Sequence, residues 1–153
     1  MVGKSKYFKF EEFVKEGPKF WKQYVGSDEY QKLYQLSNGR PGEKTGAPLL
    51  SAYFPMESNG DDEFVDVLGI EVKHDTNSID LETYIVPSAT YAEFNCTYKT
   101  SMQTNCYIYG SWFASTGYQR DDNKPDIVAY FPIPFRPVSE MGVRWWIPVI
   151  GRP

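Results

Sequence analysis

The sequence predicts an α+β fold made of two similar modules, each with the order strand, helix, strand, strand. The first observation is a repeated tetrapeptide, because residues 52–55 and 129–132 both read AYFP. The second is that each copy precedes a polar or proline-broken loop and then a β-rich run, VDVLGIEV at 65–72 and VRWWIPVI at 143–150. The third is the length of 153 residues, which suits one domain with its own core. We interpret the pattern as a degenerate internal duplication within a single domain, residues 1–153.

The first module covers about residues 5–73. Pro18 suits the first turn of a helix, and Ser27 is a suitable N-cap for a second helical stretch. Residues 6–13 fit a strand through the alternation of Phe8 and Phe10, but Phe10, Phe13 and Val14 also fit a helical stripe; we favour a short strand. The other expected elements are a helix from Pro18 to about Val25, a helix from Ser27 to Leu36, and a hairpin with strands at 49–55 and 64–73 and Asn59-Gly60 at its tip.

The second module covers about residues 82–150 and follows a linker at about 74–81. Its helix begins near Ser101 and ends at Gly117, a residue that can adopt the left-handed cap conformation. We expect the strands to form an antiparallel sheet with the helices on one face. A ligand cleft is expected between the modules, on the surface that the helices leave uncovered. The expected strands of this module lie at 91–97, 126–131 and 142–150.

Composition excludes several classes of function. The net charge is -4 and no Lys/Arg-rich block occurs, so a nucleic-acid surface is not expected. The sequence has neither an apolar run of signal-peptide length nor one long enough to span a membrane, which predicts a cytoplasmic protein without a membrane partner. Cys96 and Cys106 are expected to be free thiols, and the single histidine, His74, a solvated loop residue. We therefore expect no metal, no cofactor and no catalytic constellation.

Four blocks of the second half carry a resemblance: IVPSATYAEF at 85–94, YIYGSWFASTGY at 107–118, PDIVAY at 125–130 and VRWWIPV at 143–149. Together they resemble the gyrase-inhibitor-like small-molecule-binding domain, which is also the effector-binding domain of many AraC-type and multidrug-responsive transcription activators. The first half is similar more loosely, at 19–21 and 67–72. The resemblance implies paired β-α-β-β modules with a cleft between them, and an amphipathic, aromatic, often cationic ligand.

Relatives in that family commonly carry a glutamate on the strand before the proline-rich loop, and here the matching position is Val128. A buried carboxylate offsets the desolvation of a cationic ligand and, in hydrolytic relatives, activates water. Valine does neither, although aromatic faces alone contribute about 0.5 to 2 kcal/mol per ring to cation binding. Glu71 is our candidate for a compensating acid, because the other acid of its strand, Asp66, has the opposite parity.

The remaining candidates are aromatic. Alternation puts Tyr130 on the same face as Val128, and the repeat makes Tyr53 its counterpart. We hypothesise that these tyrosines face each other across the cleft; alternatively, both are ordinary half-buried sheet residues. Tyr109 and Trp112 match a pocket-forming block, and the family pattern favours Trp146 over its neighbour Trp145. The predicted ligand-binding residues are thus Tyr53, Glu71, Tyr109, Trp112, Val128, Tyr130 and Trp146.

Three functions remain open at this point. The first is a stand-alone, non-enzymatic binding protein for an aromatic or amphipathic small molecule. The second is a hydrolase of a reactive natural product, acting through an inward Glu and Tyr. The third is a protein-interaction role such as gyrase or toxin inhibition, for which the acidic surface would matter and the partner is unknown.

Overall fold

The computed structural model describes residues 1–36, 42, 44–56, 63–72 and 82–151. The expected linker at 74–81 and the Asn59-Gly60 tip lie outside these residues. The described elements are, in chain order, β1 (Val2–Lys9), α1 (Phe10–Val25), α2 (Asp28–Leu36), β2 (Leu49–Pro55), β3 (Glu63–Ile70), β4 (Glu82–Thr83), β5 (Thr90–Thr97), α3 (Ser101–Tyr107), a π-helical turn (Ile108–Trp112), α4 (Phe113–Thr116), β6 (Gln119–Arg120), β7 (Asp126–Phe131), a 3-10 turn (Val138–Glu140) and β8 (Gly142–Ile150).

The eight strands of the described residues form one antiparallel sheet. Its order is β4-β1-β3-β2-β7-β8-β5, and β6 pairs with the end of β8. The first AYFP copy lies on β2 and the second begins on β7 and ends just after it; these strands are neighbours at the centre of the sheet, with Ser51 opposite Val128. The predicted α+β class is confirmed, while the internal duplication stays a prediction.

The helices cover one face of this sheet. Phe20 and Tyr24 of α1 and Ile108 of the π-helical turn share a core with the strand residues Val128 and Ile147. Because alternate residues of a strand point to opposite faces, only one side chain in two along β7 and β8 enters this core. In the described ranges, no helix combines the length and the apolar character that crossing a bilayer requires.

The first helix begins earlier than the sequence predicted. We expected a strand as far as residue 13 and a helix starting at Pro18, but α1 begins at Phe10 and contains Pro18. The rings of Phe13 and Phe20 pack on Phe8 with centroids 5.3 and 5.8 Å away. This packing favours the helix despite the backbone hydrogen bond that proline removes.

Two predicted helix boundaries are confirmed. Ser27 caps α2, since the backbone N–H of Tyr30 donates to its Oγ over 3.3 Å. Gly117 ends α4 in the left-handed conformation with φ 76°. Between α3 and α4 the helix widens into the π-helical turn, a rare feature that is often found at functional sites.

The opposite face of the sheet carries a smaller core and is crossed by the segment that leads into β5. Val86 packs against this core, and the ring of Tyr84 lies 5.9 Å from that of Phe54. The segment starts at β4, on one edge of the sheet, and ends at β5, on the other. The buried members of this smaller core are Ala47, Leu50, Ala52, Ile127 and Ala129.

Candidate functional site

Two tyrosines and a serine meet at the centre of the sheet, on the side that faces the helices. Ser51 and Tyr53 lie on β2, Val128 and Tyr130 lie on β7, and Ser51 Oγ is 3.0 Å from the hydroxyl oxygen of Tyr130. From the sequence we expected Tyr53 and Tyr130 on the face that the helices leave uncovered. Both lie instead on the helix-covered face, because they alternate in step with core positions such as Leu49.

Asp66 is a buried carboxyl group beside Tyr53. It lies on β3 directly opposite Tyr53, is 3% exposed, and its Oδ1 has no hydrogen-bond partner among the described residues. Burial raises the pKa of Asp66 from 3.8 to about 8, since an unpaired carboxylate is poorly solvated in a protein interior. Asp66 is therefore mostly protonated at pH 7, and a positive charge placed beside it would favour its ionised form.

Aromatic rings surround Tyr53. Its ring centroid lies 5.4 Å from that of Phe13, 5.6 Å from that of Phe64 and 6.1 Å from that of Trp145. The Trp145 Nε1–H donates to Ser101 Oγ at the start of α3 over 3.2 Å. Rings from α1 and from the sheet therefore pack around Tyr53, and Trp145 connects this group to the residue that begins α3.

A second group of rings contacts Tyr130. The centroid of Trp21, on α1, lies 5.7 Å from Tyr130, and the Trp21 Nε1 is buried without a partner in the described part of the chain. Burial is the main cause that raises the pKa of both Tyr53 and Tyr130 above 10, and Asp66 adds to it. We refer to the following residues as the Asp66 cage: Trp21, Tyr53, Asp66, Tyr130 and Trp145.

A second acid flanks Tyr53 from the other side, but it already has a cation. Asp126 lies opposite Tyr53 on β7, and its Oδ1 accepts hydrogen bonds from Arg120 Nη2 over 2.8 Å and from Arg120 Nε over 3.1 Å. The Tyr109 hydroxyl donates to the other carboxylate oxygen. Burial raises the pKa of Asp126, while Arg120 and the Tyr109 hydrogen bond oppose that shift. Among the described residues Asp66 has no ion pair: Lys6 lies opposite it on β1, but the Lys6 ammonium lies near the rings of Phe8 and Phe20.

Tyr109 and Trp112 lie on the π-helical turn and have different surroundings. The Tyr109 hydroxyl is hydrogen-bonded to Asp126, which lies opposite Tyr53 in the sheet. The Trp112 ring stacks on Tyr118 at 5.5 Å and meets Phe94 of β5 edge-on at 5.0 Å. Trp112 is therefore over the outer strand of the sheet, away from the central tyrosines.

Trp146 lies on the face of the sheet opposite the central tyrosines. It shares the smaller core with Ile127 and Ala129, and its Nε1–H donates to Glu93 Oε1 over 2.9 Å. Trp145, 5% exposed, is the one that faces the helices, opposite Val128. The alternation of apolar residues at 143, 145 and 147 with Arg144 between them is the sequence signal that could have identified it.

Glu71 is also not at the centre of the sheet. Its carboxylate accepts hydrogen bonds from the backbone N–H of Lys44 (2.7 Å), the backbone N–H of Thr45 (2.9 Å) and Thr45 Oγ1 (2.7 Å), so it anchors the turn before β2. Glu71 has the opposite parity to the core residues Leu68 and Ile70, and it follows the last residue of β3. Asp66 shares its parity with the core residue Leu68, and this signal was available in the sequence.

The described residues contain no group of three His, Cys, Asp or Glu side chains placed as metal ligands would be. The chemistry available at the Asp66 cage is thus that of one carboxyl group, two phenols and two indoles. Such a set can bind a cation through charge and ring faces, and it can donate or accept a proton near neutral pH.

Among the solved structures that share this fold, two have a TM-score of 0.70. One is a candidate bacterial transcription regulation protein from Staphylococcus aureus MU50, with a TM-score of 0.70, 15% sequence identity, and coverage of 98% of this chain and 91% of that chain. The other is SAV2435 bound to tetraphenylphosphonium, with a TM-score of 0.70, 14% identity, and coverage of 98% and 87%. The likeness is one of fold alone. No protein family and no curated protein matches this sequence.

Proposed function

We propose that this protein binds an aromatic cation at the Asp66 cage, with Asp66 as the counter-charge. The observation that carries the proposal is a carboxyl group that is 3% exposed, has an oxygen without a partner in the described residues, and lies next to a ring-lined tyrosine. Buried charges in proteins are normally paired, so a lone buried acid of this kind is expected at a functional site.

The physical basis is compensation of desolvation. An ionised Asp66 without a partner is costly, and so is an organic cation taken out of water; each offsets the cost of the other. The faces of Tyr53, Tyr130 and the two indoles add attraction of about 0.5 to 2 kcal/mol per ring that the cation reaches. A ligand with aromatic groups and one delocalised positive charge fits both requirements. The tetraphenylphosphonium in one protein of the same fold is of that class.

The acid in this proposal comes from the first half of the chain. In the family that the sequence resembles, a glutamate is common at the position of Val128 on β7, whereas Asp66 lies on β3. Both side chains belong to the same face of the sheet, because Ser51 pairs with Val128 on one side and with Leu68, two residues from Asp66, on the other. Loss of the acid at Val128 is thus compatible with a cationic ligand.

The test is a titration followed by tryptophan fluorescence with two ions of the same shape and opposite charge, tetraphenylphosphonium and tetraphenylborate. We expect saturable quenching by the cation and none by the anion. Asp66→Asn should weaken cation binding at least about thirtyfold, since it removes one partner of a buried charge pair. Asp122→Asn, which makes the same substitution at a side chain that is 89% exposed, is the matched control and should bind like the wild type. Equal affinity of Asp66→Asn and the wild type would refute the proposal.

A second candidate function, hydrolysis, is favoured by one observation. A carboxyl group with a pKa of about 8 beside a tyrosine is suited to proton transfer near neutral pH. Incubation with reactive electrophilic aromatic compounds, followed by mass spectrometry, separates the two functions. A product that forms with the wild type and not with Asp66→Asn would favour hydrolysis, and recovery of every compound unchanged would favour binding alone.

A further inference from the structure

One region of the chain is almost free of charge. Residues 84–119 contain only two charged side chains, Glu93 and Lys99, although charged residues make up 24% of the chain. This region includes β5 and the whole helical segment of the second half. Depletion of charge together with exposed aromatic and methionine side chains is the compositional signature of a protein interface.

β5 has an open outer edge. It is the last strand of the sheet, and no strand of the described residues pairs with that edge. Its pairing with β8 runs unbroken from Thr90 to Thr97, so no bulge twists the edge away from a partner. The edge at the other end of the sheet is protected, because β4 pairs with the start of β1 and Lys4, Lys6 and Lys9 follow along that strand. Proteins commonly use lysines and short edge strands to prevent pairing, and β5 has neither.

A groove lies along this open edge. It has a volume of about 450 Å³ and is lined by Glu93, Phe94, Asn95, Gln103, Thr104 and Tyr107. The adjoining surface of α3 exposes Met102 and Tyr107 by 48% and 53%. A strand added to β5 would cover both the edge and these side chains. The occupant must itself be nearly uncharged, because the surface offers so few ionic partners.

We infer that β5 pairs in antiparallel fashion with β5 of a second copy of this chain, across a twofold axis at Phe94. A twofold interface brings the same patch of both copies together, so an uncharged patch avoids the repulsion expected between two molecules of net charge -4. Pairing centred on Phe94 sets the two Phe94 side chains opposite each other. It also sets Glu93 opposite Asn95 of the second copy, where the amide can donate to the carboxylate.

The one acid at this interface is already partly neutralised. Glu93 accepts a hydrogen bond from Trp146 and lies 3.8 Å from Arg144 of its own chain. Its side chain, like that of Arg144, is 45% exposed and remains available to a neighbour. The paired strands would join two sheets into one continuous sheet, with both α3 helices on the same face.

The test is sedimentation equilibrium over a wide range of protein concentration in reducing buffer, which excludes disulfide links through the exposed Cys106. We expect the wild type to dimerise. Asn95→Glu should weaken association by about tenfold or more, because it sets like charges opposite each other twice across the axis. Asn95→Lys, at the same position, faces Glu93 of the second copy and should dimerise at least as well as the wild type.

The two variants also separate dimer formation from folding. Within one chain Asn95 lies opposite Arg144, so a glutamate there is favourable and a lysine unfavourable. An effect on folding alone would thus give the reverse order of the two variants, and thermal unfolding of each variant records it. A wild type that stays monomeric throughout, as expected if β5 instead takes up an extended peptide, overturns the inference. Unchanged association of Asn95→Glu also overturns it.

Discussion

Replacing Asp66 with asparagine should change how stability depends on pH. The pKa of Asp66 is about 8 in the folded protein against an ordinary value of 3.8, because the side chain is buried. The folded state therefore keeps its proton over a range where the unfolded chain has lost it. Stability from this group is fully present below pH 3.8, falls as the pH rises, and reaches its minimum above pH 8.

The size of this change in stability follows from the pKa shift of Asp66. Each pH unit in that range costs about 1.4 kcal/mol, so the wild type should lose about 3 kcal/mol between pH 5 and pH 7 through Asp66 alone. Asparagine has no proton to lose. The free energy of unfolding of Asp66→Asn, minus that of the wild type, should therefore rise by that amount over the same range.

Urea unfolding at pH 5, 6 and 7, followed by tryptophan fluorescence, measures this difference. Asp122→Asn is the control, because it makes the same substitution at a side chain that is 89% exposed. Subtracting the wild type at each pH removes the contributions of other titrating groups and any fixed cost of an unpaired amide. A difference that stays constant from pH 5 to pH 7 would refute the assignment of Asp66 as a buried, uncompensated acid.

Three further predictions address the site. Wild-type affinity for tetraphenylphosphonium should rise with pH by up to about tenfold per unit below pH 8 and then level off, since binding favours the ionised form of Asp66. Calorimetry in buffers of different ionisation enthalpy should detect the proton that Asp66 releases on binding. An affinity that does not change with pH would contradict this role of Asp66. Trp145→Phe should remove much of the ligand-induced quenching, whereas Trp146→Phe should retain it, and the reverse result would restore the original choice of Trp146. Glu71→Gln should lower stability by about 1 to 3 kcal/mol, because its carboxylate accepts three hydrogen bonds, yet leave cation affinity unchanged; weaker binding would return Glu71 to the site.

The strands were predictable because their evidence is local. Alternation and flanking turn residues gave β2 and β7 with the observed bounds, and Ser27 and Gly117 marked helix ends by their own chemistry. The start of α1 was ambiguous, because residues 6–13 fit both a strand and a helical stripe through Phe10, Phe13 and Val14. The packing of Phe13 and Phe20 on Phe8, which favours the helix, is not visible in the local pattern.

The candidate site was predicted in part. Parity along β7 gave Tyr130 and Val128 a common face, and the repeat supplied Tyr53. Asp66 was missed because we took the parity of Glu71 as the inward one, whereas Asp66 shares its parity with the core residues Leu68 and Ile70. Two further features depend on the assembled sheet: the face that the helices cover, and the pairing of Asp126 with Arg120. No single segment contains that information.

The Arg120–Asp126 pair illustrates how a cation could bind to Asp66. Tyr53 is flanked by two carboxyl groups: Asp126 is paired with the guanidinium of Arg120, whereas Asp66 Oδ1 has no hydrogen-bond partner in the described residues. The protein thus contains an internal example of its own proposed complex. Arg120 also binds the carbonyl of Lys124, which fixes its position over Asp126. A ligand for Asp66 would have to find an anchor of its own, and the surrounding rings are the groups that offer one.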